Sequence, residues 1–146
     1  MINNMRKKPF KISILDDDKY FNLVLTAYVK TVCNPFVYRN YEFEIESYHT
    51  AKEFLENVDT KTEVLFLDNY LLNEEDDENI NGPEVLEEVI KRCKDCKVIM
   101  ISAHGTITEA VKLIKNGVYD YIDKTANTNN RVGMILHKIM KEDQVH

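Results

Sequence analysis

The stretch that decides the fold is EVLFLDNY, Glu63 to Tyr70. Four apolar residues, Val64-Leu65-Phe66-Leu67, end on one carboxylate, Asp68. An apolar run this short, bounded by polar residues, reads as a strand buried on both faces. Open α/β sheets gather their chemistry in the crevice beyond the carboxyl ends of the strands. Asp68 stands at such an end, and the neighbouring segments show what else converges there.

Toward the N-terminus, Lys11-Ile12-Ser13-Ile14-Leu15 reads as a first strand that breaks into Asp16-Asp17-Asp18. Three adjacent carboxylates repel one another, so a cation or a helix N-terminus is needed to absorb the charge. A helical pattern follows directly: Phe21, Val24, Leu25, Tyr28 and Val32 recur at three- and four-residue spacing and predict one buried face, closed by Pro35. Asp18 reads as the cap or first-turn charge of that helix. The run EFEIESY over 42–48 alternates apolar and charged residues, the period of a strand at a sheet edge. Thr50-Ala51-Lys52-Glu53 is a capping box, followed by Phe54, Leu55 and Val58 on one face of a short helix.

Toward the C-terminus lies NEEDDENIN, residues 73–81, whose five consecutive acids Glu74 to Glu78 read as a solvated loop. Gly82-Pro83 starts a helix with Val85, Leu86, Val89, Ile90 and Cys93 inward, and with the pairs Glu87/Lys91 and Glu88/Arg92 outward. Lys97 to Ile101 is a fourth strand ending on Ser102. Thr106 to Glu109 is a second capping box, with Ile107, Ala110, Val111 and Ile114 expected inward and Gly117 as the stop. Tyr119 to Ile122 is a short fifth strand ending near Lys124. A last helix from about Asn129 to Glu142 turns Val132, Ile135, Leu136, Ile139 and Met140 inward. Strands and helices thus alternate five times, the pattern of an α/β fold with a parallel sheet covered by helices on both faces.

At 146 residues the chain makes one domain, with a tail over 1–9, the domain over 10–142 and a tail over 143–146. The net charge of −6 offers no broad basic face, so direct nucleic-acid binding is not expected. Three cysteines, Cys33, Cys93 and Cys96, do not make a disulfide scaffold and fit a reducing compartment. Cys93-x-x-Cys96 has no second Cys/His pair at zinc spacing and reads as structural. No run approaches a membrane span, and MINNMRKKPF lacks an apolar core after its basic residues, so a cytoplasmic protein is expected.

The strand ends deliver Asp16, Asp17, Asp18, Asp68, Ser102 and Lys124 to one crevice. Clustered carboxylates suit Mg²⁺, a hard cation that takes oxygen ligands. A lysine and a hydroxyl aimed at the same point can meet the oxygens of a phosphoryl group, and Asp can accept one.

On these residues the chain resembles the receiver domains of two-component response regulators. The resemblance is carried by ILDDD (14–18), LFLD (65–68), Asn81-Gly82, VIMISA (98–103) and DYIDK (120–124), in that order. It implies a doubly wound five-stranded parallel sheet of order 2-1-3-4-5, a flavodoxin-like three-layer sandwich. It implies a phosphoacceptor at Asp68, an acidic pair for Mg²⁺ at Asp16 and Asp17, and the backbone carbonyl of Tyr70 as a further ligand. Lys124 matches the lysine that meets the phosphoryl group. Ser102 matches the hydroxyl that moves on activation, and Tyr121 the aromatic switch. The implied donor is a sensor histidine kinase or a histidine phosphotransfer protein. The implied output is a downstream protein at the face of helix four, strand five and helix five.

The chain departs from the family pattern at Leu72, where Pro is usual, at the acidic insertion, and at Lys124-Thr125, where a cis Lys-Pro is usual. Tyr70 and His104 are expected to line the site and shield the acyl phosphate from water. A phosphate-independent interaction module of the same fold is the alternative. An aspartate-based phosphatase is disfavoured, because Tyr70 stands where its second acid is needed. A dinucleotide or flavin site is disfavoured by acids in the first turn, where a phosphate cradle needs glycines. The expected role is therefore a switch and not an enzyme.

Overall fold

The computed structural model describes residues 6–71 and 82–145. Leu72, the acidic run 74–78 and Asn81 lie outside the described residues. The elements run β1 (Lys8–Leu15), α1 (Lys19–Val32), β2 (Tyr41–Tyr48), α2 (Ala51–Asn57), β3 (Thr62–Asp68), α3 (Gly82–Arg92), β4 (Lys97–Ser102), α4 (Ile107–Lys115), β5 (Asp120–Asp123) and α5 (Thr128–Val145). The five strands form one sheet of order β2-β1-β3-β4-β5, with every pair parallel. This is the doubly wound, flavodoxin-like architecture expected, with 42–48 on an edge strand.

Strand side chains alternate between two cores. Ile12, Ile14, Val64, Phe66, Ile99 and Ile101 pack on one face against Leu25 and Val29 of α1 and Val132, Leu136 and Ile139 of α5. Leu15, Leu65, Leu67, Val98 and Met100 pack on the other against Phe54 of α2, Val85 and Val89 of α3, and Leu113 of α4. β3 is buried along nearly its whole length because helices cover both of its faces.

Three helix faces differ from the periodicity expectation. On α1 the fully buried stripe is Asn22, Leu25 and Val29, while Val24 is exposed. Asn22 turns inward because its amide donates to the carbonyls of Asp16 and Tyr48, at 3.0 and 2.9 Å. On α3, Ile90 lies at the surface. On α4 the expected stripe is largely outside: Ile107, Val111 and Ile114 are exposed, Ala110 is partly buried, and Leu113 is the buried residue. A nine-residue helix over the narrow end of a sheet can bury one side only, and this sequence is apolar on more than one.

Both capping boxes form their first half, Glu53 N–H to Thr50 Oγ1 at 3.1 Å and Glu109 N–H to Thr106 Oγ1 at 3.2 Å. Gly117, at φ 105°, supplies the left-handed residue that stops α4. Gly82 opens α3 against the end of β3. A Cβ there would lie 2.5 Å from the Asp68 carbonyl oxygen and 2.8 Å from the Asn69 Cα, so only glycine fits.

Candidate functional site

Strand register brings the site together. Leu15 pairs with Leu67, and Asp68 pairs with Ile101, so Asp16 and Asp68 leave adjacent strands at the same level. Strand order reverses between β1 and β3, which opens the crevice there. Carboxylate oxygens of Asp16, Asp17 and Asp68 lie within 4.8 Å of one another. Ser102 pairs with Asp123 at the end of β4, and the Lys124 amide donates to the Ser102 carbonyl at 2.8 Å. The lysine therefore emerges beside the carboxylates.

Lys124 Nζ sits 2.8 Å from Asp16 Oδ2 and 3.5 Å from Asp68 Oδ2. It also lies over the Phe21 ring, 4.3 Å from its centroid, so α1 contributes a wall that holds the ammonium from the side. The Lys124–Thr125 peptide is trans. The turn after it is fastened by Thr128, whose Oγ1 accepts from the Thr125 amide at 2.8 Å and donates to the Asp123 carbonyl at 3.0 Å. The lysine reaches both carboxylates without the family's usual proline.

Asp16 and Asp68 are almost fully buried, and Asp17 is half-buried. Burial, followed by the charge of Asp16, pushes Asp68 up to about 8, against the pull of Lys124 and the Tyr70 amide. Burial also raises Asp16, against its bond to Lys124. For Lys124, burial favours the neutral amine, but the bond to Asp16 and the charges of Asp16 and Asp68 outweigh it and raise the group. One ammonium among three carboxylates leaves repulsion that a dication would absorb. The donor set is all oxygen, which fits Mg²⁺.

The remaining site residues fall around this centre. Asp18 caps α1, accepting from the Tyr20 and Phe21 amides at 3.1 and 3.0 Å, so the third acid has a structural task. Ser102 is fully buried, and its Oγ accepts from the His104 amide at 3.3 Å. Tyr70 touches the site through its amide, which donates to Asp68 Oδ1 at 3.2 Å, while its side chain is exposed. The His104 side chain is exposed as well. Tyr121 is turned inward and buried against Gly105, where a Cβ would collide with the phenol oxygen. Among the described residues its hydroxyl has no partner at hydrogen-bond geometry, and burial raises its pKa against the pull of the nearby Ser102 hydroxyl.

Two contributors escaped sequence reasoning. Asn22 holds the end of β1, and Asn69 reaches α4 by donating from Nδ2 to Glu109 Oε1. Each is a polar residue where an apolar one would suit the local burial, and that mismatch is the signal that could have found it.

The family model for the response regulator receiver domain matches residues 12–136. The chain belongs to the response regulator receiver family. An NtrX-like response regulator from Rickettsia conorii is 49% identical over 53 residues, covering 36% of this chain and 11% of that protein. The nitrogen assimilation regulatory protein NtrX of Azorhizobium caulinodans is 36% identical over 69 residues, covering 47% of this chain and 14% of that protein. The receiver chain thus spans a small part of the length of these relatives. A response regulator receiver domain from Clostridium thermocellum superposes with a TM-score of 0.71 at 17% identity, covering 93% of this chain and 98% of the other. That likeness shows a shared fold for the receiver chain. Among its described residues no helix is long and apolar enough to cross a membrane.

Proposed function

We propose that this receiver domain is a phosphorylation-dependent switch that accepts a phosphoryl group on Asp68. The observation that carries the reading is the convergence of Asp16, Asp17 and Asp68 within 4.8 Å, with Lys124 bridging two of them. Asp16, Asp17, Asp68 and the Tyr70 backbone carbonyl would hold Mg²⁺. The bound ion supplies charge neutralisation for the incoming phosphoryl oxygens. An Asp68 carboxylate oxygen forms the new P–O bond as the P–N bond of a donor phosphohistidine breaks, and the imidazole leaves with the electron pair. Lys124 shifts from Asp16 toward the phosphoryl oxygens and, with the Ser102 hydroxyl, holds them.

Movement of Ser102 opens space on the Tyr121 side and alters the face formed by α4, β5 and α5, where a downstream protein binds. The exposed Ile107, Val111 and Ile114 of α4 support that assignment, since such a stripe suits a covered surface. A sensor histidine kinase or a phosphotransfer protein is the donor, and the domain turns over no substrate of its own.

Incubation with Mg²⁺ and acetyl phosphate, followed by mass spectrometry, should show one phosphoryl adduct, absent in Asp68→Ala. Beryllofluoride should bind in its place, and Asp17→Asn should weaken Mg²⁺ binding at least about tenfold. A folded protein that gains neither adduct would overturn the reading and leave a phosphate-independent interaction module.

A further inference from the structure

Asn69 directly follows the phosphoacceptor and is almost wholly buried. Its backbone is held on both sides: its amide donates to the Ile101 carbonyl of β4 at 2.9 Å, and its carbonyl accepts from the Gly82 amide at 3.3 Å. It cannot shift without Asp68 shifting too. Its side chain leaves the strand and binds Glu109, the acid in the first turn of α4. Glu109 is therefore not spent on its own helix cap.

This contact matters because α4 is weakly held. Leu113 is its fully buried residue, and its other large apolar side chains face outward. Leu113 lies about one turn beyond Glu109 and Ala110, and the three share the inward side. The bond to Asn69 thus sets which face α4 turns to the sheet, and so which face it shows to solvent. The arrangement is also poised to change. Among the described residues, the buried Asn69 Oδ1 and Tyr121 hydroxyl each lack a hydrogen-bond partner of good geometry.

We propose that Asn69 and Glu109 form a latch that ties the first turn of α4 to the phosphoacceptor strand and is released on activation, as a second coupling route beside Ser102 and Tyr121. The latch rests on the switch reading above. Loading Asp68 draws the loop after β4 inward and carries the first turn of α4 with it. Glu109 parts from Asn69, and α4 becomes free to reorient its apolar stripe. Asn69 and Glu109 are positioning residues here, since neither touches the phosphoryl group.

Amide hydrogen exchange of α4 tests the latch on the whole chain with Mg²⁺, with and without beryllofluoride. Without beryllofluoride, Glu109→Ala should speed exchange over 109–115 about tenfold, as loss of a hydrogen bond to a charged group implies. Glu109→Gln keeps an acceptor and should restore wild-type rates. Beryllofluoride should accelerate the same amides in the wild type and add little in Glu109→Ala. Asn69→Ala should match Glu109→Ala, and the Glu109 pair decides the matter if that variant does not fold. The latch is refuted if Glu109→Ala exchanges like wild type, if Glu109→Gln behaves like Glu109→Ala, or if Glu109→Ala keeps the full beryllofluoride response. A wild type that binds no beryllofluoride overturns the switch reading instead, and the comparison without it still judges the Asn69–Glu109 contact.

Discussion

Asn22 donates from one buried amide to two carbonyls, Asp16 at the end of β1 and Tyr48 at the end of β2. It thereby fixes the point where the chain turns from β1 toward the acidic pair. Asn22→Ala would leave both carbonyls without that donor and open a small cavity. Urea denaturation should show a loss of about 2–3 kcal/mol. Lys124 poses a different residue-scale problem. Its ammonium is held by Asp16 below and the Phe21 ring beside it, so it is placed in advance for an anion. Asp18, by contrast, spends its charge on the two amides of its own helix N-terminus and stands apart from the cluster of Asp16, Asp17 and Asp68.

Among the elements, α4 departs furthest from its sequence pattern. Ile107 is 86% exposed and Leu113 6% exposed, although both are large aliphatic residues on one short helix. Their substitutions should therefore differ in stability. Ile107→Ser should stay within about 0.5 kcal/mol of wild type, while Leu113→Ala should cost about 2–4 kcal/mol, both by chemical denaturation. Equal costs would mean that α4 docks by the face its periodicity suggests. α5 needs no such account: it buries Val132, Ile135, Leu136, Ile139 and Met140 as spaced, because it packs along the sheet and α1.

Across the whole molecule, the last helix is pinned to the first two strands at the end opposite the site. Asp143 of α5 accepts from Tyr41 at 2.6 Å and pairs with Lys8 at 2.7 Å. Burial alone would raise this carboxyl, but Lys8 and the Tyr41 hydroxyl outweigh it and hold it below the usual carboxylate range. A depressed folded value means the contribution is complete above the unfolded value near 3.8 and disappears as pH falls through the folded one. Asp143→Asn should cost about 1 kcal/mol at pH 7, mostly through Tyr41, since Lys8 is half exposed and screened. The gap between wild type and variant should persist down to about pH 4 and close below it, by thermal melts across pH.

Sequence by itself determined the alternation of five strands and helices, the edge position of 42–48, and the placing of Asp16, Asp17, Asp68, Ser102 and Lys124 at strand ends. Those features follow from period-two and period-3.6 burial and from acids that no core could accept, and each is local. Tertiary structure decided how far the site converges, because strand register sets the level at which each carboxylate leaves the sheet. It also decided that Lys124 reaches two aspartates through a trans peptide, since Thr128 builds the turn that proline builds elsewhere. Only the packed fold shows Asn22 and Asn69 as ties between elements, and only it turns the α4 stripe outward. Apolar spacing says that a helix has a face, but which face meets the sheet depends on partners distant in sequence.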